Sequence, residues 1–363
     1  MTTLFLLFSA IYLFILFSFI VGILRLPCQR DKKQKPISII VAARNEEANI
    51  ANLIKSISAQ NYPHELFELI IADDRSEDRT ATLVQKYALK YDFIKFVKIT
   101  EQNPALVGKK GAISAAINEA QHDILAFTDA DCIVGKDWLK EINSHFTDEI
   151  DFVAGFSFID MGNKFFTGLK NIERSAIFAV TSGSFGLDWA VTCTAGNMSY
   201  RKSIFQKIGG FSGIGHIPSG DDDLLLQKMR HEIREMNFIF KPKAMVNTSN
   251  ISNIGSHIQR ESRRASKWKY YTPSIKLLTL FVFLYYIIFI TTFFLLFFQS
   301  FGLELFLSIL GIKVIFETLL ISIFLHKIRR KKLLLYLPIA ELIYLPYFIY
   351  FALRGTFGKY KWK

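Results

Sequence analysis

The chain has 363 residues, of which 51% are hydrophobic and 35 are phenylalanine, and its formal net charge is +12. This composition is too apolar for a purely soluble protein and too charged for a pure bundle of membrane helices. We therefore expect a polar domain attached to membrane-spanning segments.

The chain opens on an uncharged apolar run, residues 4–24. At about 1.5 Å per residue, this run is long enough to cross a hydrocarbon layer of about 30 Å. No basic residue precedes it and no small-residue cleavage site follows it, so residues 1–26 are predicted to form a transmembrane helix rather than a signal peptide. Basic residues such as Arg25, Arg30 and Lys32 follow the run, which places that flank in the cytosol and the amino terminus outside.

The region from residue 36 to residue 270 contains no comparable apolar run, and we expect it to be a cytosolic domain. A β-branched run, "ISIIVAA", is followed by apolar residues at helical spacing between residues 50 and 57. The same succession of strand and helix continues through "FELIIADD", "FIKFVKI" and "ILAFTDAD". This alternation predicts an α/β domain of Rossmann-like type, with a mostly parallel sheet and right-handed crossovers.

Polar side chains follow three of these predicted strands. They are Arg44, Asn45 and Glu46 after the first strand, Asp73 and Asp74 after the second, and Asp129 and Asp131 after the fourth. One such cluster alone is as well explained by a loop with turn-forming aspartates. In parallel sheets, however, ligands lie beyond the carboxyl ends of the strands, so three clusters at one edge predict a binding site.

The two aspartates after the fourth strand indicate a metal site. Asp129 and Asp131 are two residues apart in an extended segment, so their side chains point to the same side. Two neighbouring carboxylates repel each other unless they share a proton or a cation. Mg²⁺ and Mn²⁺ are suited to such a pair, with substrate phosphates completing the coordination, so we predict a metal diphosphate at this edge.

Six short segments occur in order between residues 36 and 268: "VAARNEE", "ADDRSEDRT", "GKKGAISAAI", "TDADC", "TAGNMSYRKSIFQKIGGF" and "SGDDDLLLQK". Together they resemble the motifs of the family 2 glycosyltransferases of the GT-A fold, and specifically their membrane-anchored, processive-synthase-like branch. Each segment alone is a weak signal, whereas six in order are specific. The resemblance implies a GT-A fold, a nucleotide-sugar donor that we expect to be a UDP-sugar, and a divalent metal.

Carried over position by position, the resemblance implies roles for individual residues. The residues expected to bind the donor are Ala43, Asn45, Glu46, Asp73, Lys109 and Asp129. Asp131, together with Asp129, is expected to hold the metal, and Asp221 to act as the general base, with Asp222 as the alternate. The residues expected on the acceptor side are Gly196, Asn197, Arg201, Gln259 and Arg263.

One segment departs from the pattern of the processive members, which carry a Q-x-x-R-W motif. Here Gln259 and Arg263 are one residue too far apart, and the next tryptophan is Trp268. This departure puts processive polymer synthesis in doubt. The arginines of the segment could bind phosphate, and a basic cluster beside the membrane with no catalytic role explains them equally well.

Residues 274–353 contain three further apolar segments, which we expect to provide two or three transmembrane helices. The last one contains Pro338, Glu341 and Pro346, and a full crossing would leave the basic tail, residues 354–363, outside. Four spans in all are slightly favoured. Lys313 and Glu317 are spaced to neutralise each other within one helix.

These features lead to one main hypothesis about function. It is an inverting, hexosyltransferase-type enzyme of the bacterial cytoplasmic membrane that glycosylates a lipid, lipid-linked or polysaccharide acceptor at the cytosolic face. A sugar nucleotidyltransferase would carry a glycine-rich loop after the first strand, which "VAARNEEAN" lacks. A membrane scaffold or transport component with a degenerate sugar-binding domain is the non-enzymatic alternative. The basic residues beside apolar segments favour membrane lipids over nucleic acid as partners.

Overall fold

The structure, a computed structural model, describes residues 1–27, 31, 33–159, 164–248, 254–298 and 301–358. The helices are α1 (Thr2–Arg25), α2 (Ile50–Ser58), α3 (Thr80–Ala88), α4 (Lys110–Glu119), α5 (Trp138–His145), α6 (Lys164–Gly186), α7 (Lys202–Lys207), α8 (Asp223–Met229), α9 (Ile254–Ser266), α10 (Pro273–Phe297), α11 (Leu303–Lys327) and α12 (Leu337–Phe357). The strands are β1 (Ile37–Ala43), β2 (Phe67–Asp74), β3 (Ile94–Ile99), β4 (Ile124–Phe127), β5 (Cys132–Val134), β6 (Ile150–Ala154), β7 (Ser157–Ile159), β8 (Met198–Arg201), β9 (Glu235–Phe238) and β10 (Val246–Thr248). Two basic residues of the predicted cytosolic flank, Arg30 and Lys32, lie outside the described residues.

The central sheet has seven strands in the order β3-β2-β1-β4-β8-β6-β9. Strand β8 runs antiparallel to both of its neighbours, and the other paired strands are parallel. The register of β1 against β2 runs from Ile37 opposite Phe67 to Ala43 opposite Asp73, so the two strands end side by side. The prediction of an α/β domain with a mostly parallel sheet is confirmed.

A second, three-stranded sheet has the order β5-β10-β7. Strand β5 follows Asp131 directly and pairs antiparallel with β10, which pairs parallel with β7. This small sheet holds the Asp129–Asp131 segment at the edge of the large sheet.

Both faces of the large sheet are covered, so β1 and β2 are buried along almost their whole length. On one face, α2 buries the four residues that its helical spacing predicted: Ile50, Leu53, Ile54 and Ile57. On the other face, the core continues without a break into the membrane helices, from Phe127 and Phe238 to Phe324 and Phe5. The polar domain and the membrane helices therefore share one hydrophobic core.

Helix α6 joins the two parts, and the sequence analysis did not predict it. It packs against α1 at a close approach between glycine residues. A Cβ atom at Gly22 would lie 1.9 Å from the carbonyl oxygen of Gly183, and one at Gly186 would lie 1.9 Å from that of Gly22. Small residues that let two helix backbones meet are typical of helix pairs in membranes, and "SGSFG" is the signal that the sequence analysis passed over.

Four helices are long and apolar enough to cross a membrane: α1, α10, α11 and the span from Lys331 to Phe357 that includes α12. The apolar segments thus give three C-terminal helices, the larger of the two numbers expected. The predicted pairing of Lys313 with Glu317 is present, with 2.6 Å between Nζ and Oε2. Lys313 also lies 3.2 Å from Glu341 of α12, and Tyr12 of α1 donates a hydrogen bond to Glu317, so this polar cluster connects three membrane helices.

Candidate active site

Three predicted site residues meet at the carboxyl edge of the large sheet. Lys109 Nζ lies 2.8 Å from Asp129 Oδ1 and 2.9 Å from Asp221 Oδ2. These residues come from the start of α4, the end of β4 and the loop before α8, so the fold brings together segments that are distant in sequence. Burial lowers the pKa of Lys109, but the two carboxylates outweigh it and raise this pKa well above its ordinary value. Lys109 is therefore a fixed positive charge between two carboxylates.

Asp129 and Asp131 are suited to a hard divalent cation. Carboxylate oxygens of these two residues and the sulfur of Cys132 lie within 4.8 Å of one another. Burial, Asp129 and Asp131 raise the pKa of the Cys132 thiol well above its ordinary value, so the sulfur stays protonated and is a poor ligand. Two carboxylates with open space beside them fit Mg²⁺ or Mn²⁺, which prefer oxygen ligands.

The loops after β1 and β2 hold each other through side chains. The backbone N–H of Asn45 donates to Ser76 Oγ over 2.9 Å, and Asn45 Oδ1 accepts from the N–H of Glu77 over 2.9 Å. The N–H of Glu46 donates to Thr80 Oγ1 over 2.8 Å. Asn45 has a φ of 56°, a backbone conformation that asparagine tolerates better than most residues. Asn45 and Glu46 thus lie in a fixed double loop, and together with Ala43 they line the cavity described below.

Of the aspartate pair that ends β2, the structure places Asp74 on the wall of the cavity and Asp73 behind it. Asp73 is 1% exposed, and its Oδ2 accepts from the N–H of Ser76 over 3.3 Å. Asp74 lines the cavity with Arg75, whose Nε donates to Asp74 Oδ1 over 2.9 Å. The expected donor contact of Asp73 stays a prediction, and Asp74 is the better-placed carboxylate.

The three aspartates of "GDDD" have different surroundings. Lys267 of the segment after α9 lies 3.2 Å from Asp222 Oδ1 and 2.7 Å from Asp223 Oδ2, and Tyr271 donates to Asp223 Oδ2 over 3.0 Å. Burial raises the pKa of Asp223 to about 6, although Lys267 opposes this shift. Asp222 and Asp223 thus share one lysine. Asp221 faces Lys109 and Asp129 instead, which favours it over Asp222 as the base.

Lys110 positions the segment that carries Asp221, a role that sequence reasoning missed. Its side chain is 1% exposed, and its Nζ donates to the carbonyl oxygens of Ile217 and, over 2.8 Å, Ser219. Burial lowers the pKa of Lys110 to about 8. In the sequence, the second lysine of "GKKG" was the only signal of this role. It was a weak signal, because a lysine at a helix start is usually solvated.

The expected acceptor-side residues do not all lie at the site. Gly196 does, since a Cβ atom there would lie 3.2 Å from Asp129 Oδ2. Asn197 is buried behind it, accepting from Trp138 Nε1 over 2.9 Å and donating to the carbonyl oxygen of Phe156 over 2.9 Å. Its role in this structure is to hold the loop.

The structure corrects the expected acceptor-side role of Arg201, because this residue lies at the opposite edge of the sheet. Strand β8 is antiparallel to β4, so Arg201 pairs with Ile124 at the start of β4 and not with its carboxyl end. Its guanidinium pairs with Asp151 over 3.0 Å and with Asp123 over 3.2 Å. Arg201 therefore stabilises the sheet and cannot contact an acceptor at the candidate site.

The segment that departs from Q-x-x-R-W is helix α9 and the turn after it. Arg263 lines the cavity, whereas Gln259 is exposed and lies off the cavity wall. Trp268 Nε1 donates to Thr356 Oγ1 of α12 over 2.9 Å, so its ring fixes α9 to a membrane helix. Of the two expected residues, the structure brings only Arg263 to the site.

One cavity of about 1350 Å³ connects the sheet edge with the membrane helices. Its polar part is lined by the loops after β1, β2 and β4 and by Asp221, Asp222 and Asp223. Its other part is lined by α1, α6, α10, α11 and α12, with apolar side chains such as Leu16 and Leu320. A ligand with a polar head and an apolar chain would fit both parts at once.

Comparison with known proteins assigns the chain to a family. The model described as "Glycosyl transferase family group 2" matches residues 124–353, which is more than half of the chain, and "Glycosyl transferase family 2" matches residues 38–209. The chain therefore belongs to glycosyl transferase family group 2.

Two curated relatives are similar over part of their length. "Probable glycosyltransferase YdaM" of Bacillus subtilis (strain 168) is 28% identical over 214 residues, which cover 58% of this chain and 49% of that protein. "Beta-monoglucosyldiacylglycerol synthase" of Nostoc sp. (strain PCC 7120) is 39% identical over 106 residues, which cover 29% of this chain and 22% of that protein. The chain thus spans about half the length of the first relative and about a fifth of the second.

A solved structure has a similar fold. It is "Mannosyltransferase PcManGT from Pyrobaculum calidifontis in complex with GDP-Man and Mn2+", with a TM-score of 0.59 and 16% identity over 99% of this chain and 97% of that one. This similarity of fold confirms the GT-A type that the sequence motifs predicted.

Proposed function

We propose that this protein is an inverting, metal-dependent glycosyltransferase that moves a sugar from a nucleotide sugar, with a UDP-sugar as the first candidate, to a lipid or lipid-linked acceptor. The observation that carries the proposal is the single cavity, which places the Asp129–Asp131 pair and Asp221 beside a space between membrane helices. Membership of the family supports the reaction class. The continuous path from a charged edge to an apolar interior supports the choice of a lipid acceptor.

The donor would occupy the polar part of the cavity. The double loop that contains Asn45 and Glu46, with Asp74 beside it, provides fixed polar groups for the base and ribose. Mg²⁺ or Mn²⁺ bound at Asp131 and Asp129 would stabilise negative charge on the departing nucleoside diphosphate. Lys109 adds a positive charge beside Asp129. This chain's own residues therefore hold the diphosphate end of the donor next to Asp221.

Asp221 would accept the proton of the acceptor hydroxyl. It lines the cavity, and Lys109 and Lys110 fix its position, the first by an ion pair and the second through the segment that precedes it. A carboxylate held within reach of the attacking hydroxyl is the group that an inverting transfer needs. Asp221 shares Lys109 with Asp129 of the proposed metal pair, whereas Asp222 and Asp223 share Lys267, so Asp221 is the best candidate for this task.

The acceptor would enter from the membrane. Helices α1, α10, α11 and α12 supply the apolar lining, and these helices are candidate membrane spans. With the basic flank of α1 in the cytosol, the domain of residues 36–270 lies at the cytosolic face and the amino terminus outside. A bacterial cytoplasmic membrane would be the location, and residues 274–353 would form the membrane part with α1.

The proposal is tested by a transfer assay with the purified full-length protein in lipid vesicles. Radiolabelled UDP-glucose, UDP-N-acetylglucosamine and GDP-mannose are supplied separately with Mn²⁺ or Mg²⁺, and label in the lipid extract is measured. We expect incorporation from one donor, which is lost in Asp221→Asn. Donor cleavage without label in lipid would contradict a lipid acceptor, and no cleavage of any donor would contradict the enzymatic assignment.

A further inference from the structure

A cluster of arginines, here called the guanidinium cluster, lines the cavity. It consists of Arg174 on α6 and Arg260, Arg263 and Arg264 on α9. Arg174 Nε donates to the carbonyl oxygen of Ser157 over 2.8 Å, so it is fixed to strand β7 of the small sheet that follows Asp131. The cluster therefore lines the same cavity as the metal pair, and Arg174 joins it to the small sheet.

Two arginines of the guanidinium cluster have no carboxylate partner within the described part of the chain. Among the described residues, neither Arg174 nor Arg260 forms an ion pair with a carboxylate. The nearby Glu173 pairs with Lys170 over 2.9 Å, and Glu261 lies 3.8 Å from Arg264.

Asp222 and Asp223 of the same cavity are already paired with Lys267 and not with the cluster. Burial, together with Arg264 and Arg260, lowers the pKa of Arg174 to about 10, which reflects this crowding of like charges. Crowded guanidinium groups facing a cavity indicate an anionic ligand.

The position of the cluster indicates which ligand it serves. The metal pair and Lys109 already face the diphosphate end of a donor. The guanidinium cluster belongs to helices that are fixed to the membrane part: α6 packs on α1, and Arg354 of α12 donates to Ser262 of α9 over 3.1 Å. A lipid whose chains lie among α1, α10, α11 and α12 would place its headgroup near the guanidinium cluster.

We propose that the acceptor is a lipid whose headgroup carries a phosphate group beside the hydroxyl that receives the sugar, and that the guanidinium cluster binds this phosphate. The inference rests on the proposed function, because it names the acceptor of the same site. Guanidinium groups bind phosphate through paired, charge-assisted hydrogen bonds, and Arg174 is already oriented by Ser157. A neutral lipid such as diacylglycerol leaves the cluster without its anion.

The test measures lipid binding, which requires no transfer. Fluorescent phosphatidylglycerol and fluorescent diacylglycerol are titrated into the full-length protein in neutral detergent, for wild type, Arg174→Gln and Arg260→Gln. The matched control is Arg329→Gln, which removes the same charge from an exposed position at the end of α11. Nucleotide affinity is measured on every variant, with UDP and Mn²⁺, to show that the donor part is intact.

We expect the wild type to bind phosphatidylglycerol about ten-fold or more tightly than diacylglycerol, since a buried charged hydrogen bond corresponds to about that factor. Arg174→Gln and Arg260→Gln should lose most of this preference, whereas Arg329→Gln should keep it. Equal binding of the two lipids by the wild type, or an unchanged preference in Arg174→Gln, would overturn the proposal.

Two further measurements identify the source of the phosphate. Inorganic phosphate and glycerol 3-phosphate should compete with the fluorescent lipid only at far higher concentration; competition at equal concentration would reduce the cluster to a general anion site and overturn the lipid assignment. A ten-fold loss of UDP affinity in Arg174→Gln, with the lipid preference kept, would assign the cluster to the donor instead. Lipid preference is measured without a sugar donor, so it can hold even where the transfer assay fails.

Discussion

The two parts of the cavity are built in different ways. The donor part takes its side chains from strand ends and the loops that follow them, where short hydrogen bonds such as those of Asn45 and Glu46 fix each loop to the next. The acceptor part is formed by α1, α6 and the helices from α9 onward, whose contacts join residues far apart in sequence. Under the proposed function, the chemistry takes place at the sheet edge, whereas the acceptor is selected by the packed helices.

The largest effect should come from the proposed base at the junction of the two parts. Asp221→Asn should reduce the transfer rate about 10²- to 10⁴-fold, because the side chain can no longer take a proton from the acceptor. Donor affinity should stay within about two-fold, since the change removes an interaction of the chemical step only. The measurement combines single-turnover transfer with equilibrium donor binding.

Asp222→Asn is the matched control for this variant, because it makes the same change one residue along. It should weaken the attachment to Lys267 and affect transfer less than Asp221→Asn does. Transfer that survives in Asp221→Asn and disappears in Asp222→Asn would identify Asp222 as the base.

Removal of the metal should disable the donor part alone. Asp131→Asn should lower transfer about a hundred-fold and weaken metal-dependent nucleotide binding, because several kcal/mol of charge stabilisation are lost. EDTA should act on the wild type in the same way, with recovery on addition of Mn²⁺. Asp148→Asn, at an exposed position, is the control. Full activity of the wild type in EDTA would show that no metal is needed.

A smaller effect concerns the link between α4 and the segment before Asp221. Because the pKa of Lys110 is lowered to about 8, its side chain is an ammonium below that pH and a neutral amine above it. The neutral amine binds Ile217 and Ser219 more weakly, so transfer should fall several-fold as the pH rises through about 8. In Lys110→Arg, which stays charged, this decline should move to higher pH; an identical profile in the variant would exclude Lys110 as its cause.

Sequence reasoning was most successful where the structure is local. The bounds of β1 and β2 match the apolar runs that predicted them, and α2 buries the residues that helical spacing selected. The Asp129–Asp131 pair and Lys109 meet as expected, because the carboxyl ends of parallel strands share one edge.

The errors concern contacts that only the packed fold determines. Arg201 was expected at the site because it belongs to the same motif as Gly196. The antiparallel direction of β8 instead takes Arg201 to the opposite edge of the sheet. Helix α6, Lys267 and the crowding of arginines around Arg174 were not predicted, since their partners lie in segments that no spacing rule connects. Most contacts that form the acceptor part therefore could not be predicted from the sequence.

The central claim, that one cavity carries the acceptor from the membrane to Asp221, is tested most directly by filling its apolar part. Ala340 of α12 lines the cavity, and its neighbour Ile339 is 38% exposed on the outside of the same helix. Donor binding and transfer to lipid are measured for Ala340→Trp and for the control Ile339→Trp. The account predicts that Ala340→Trp loses transfer about ten-fold or more while donor affinity stays unchanged, because the added ring occupies the space for the lipid chain, and that Ile339→Trp behaves as wild type. Full transfer by Ala340→Trp, with the protein folded and the donor bound, would contradict it.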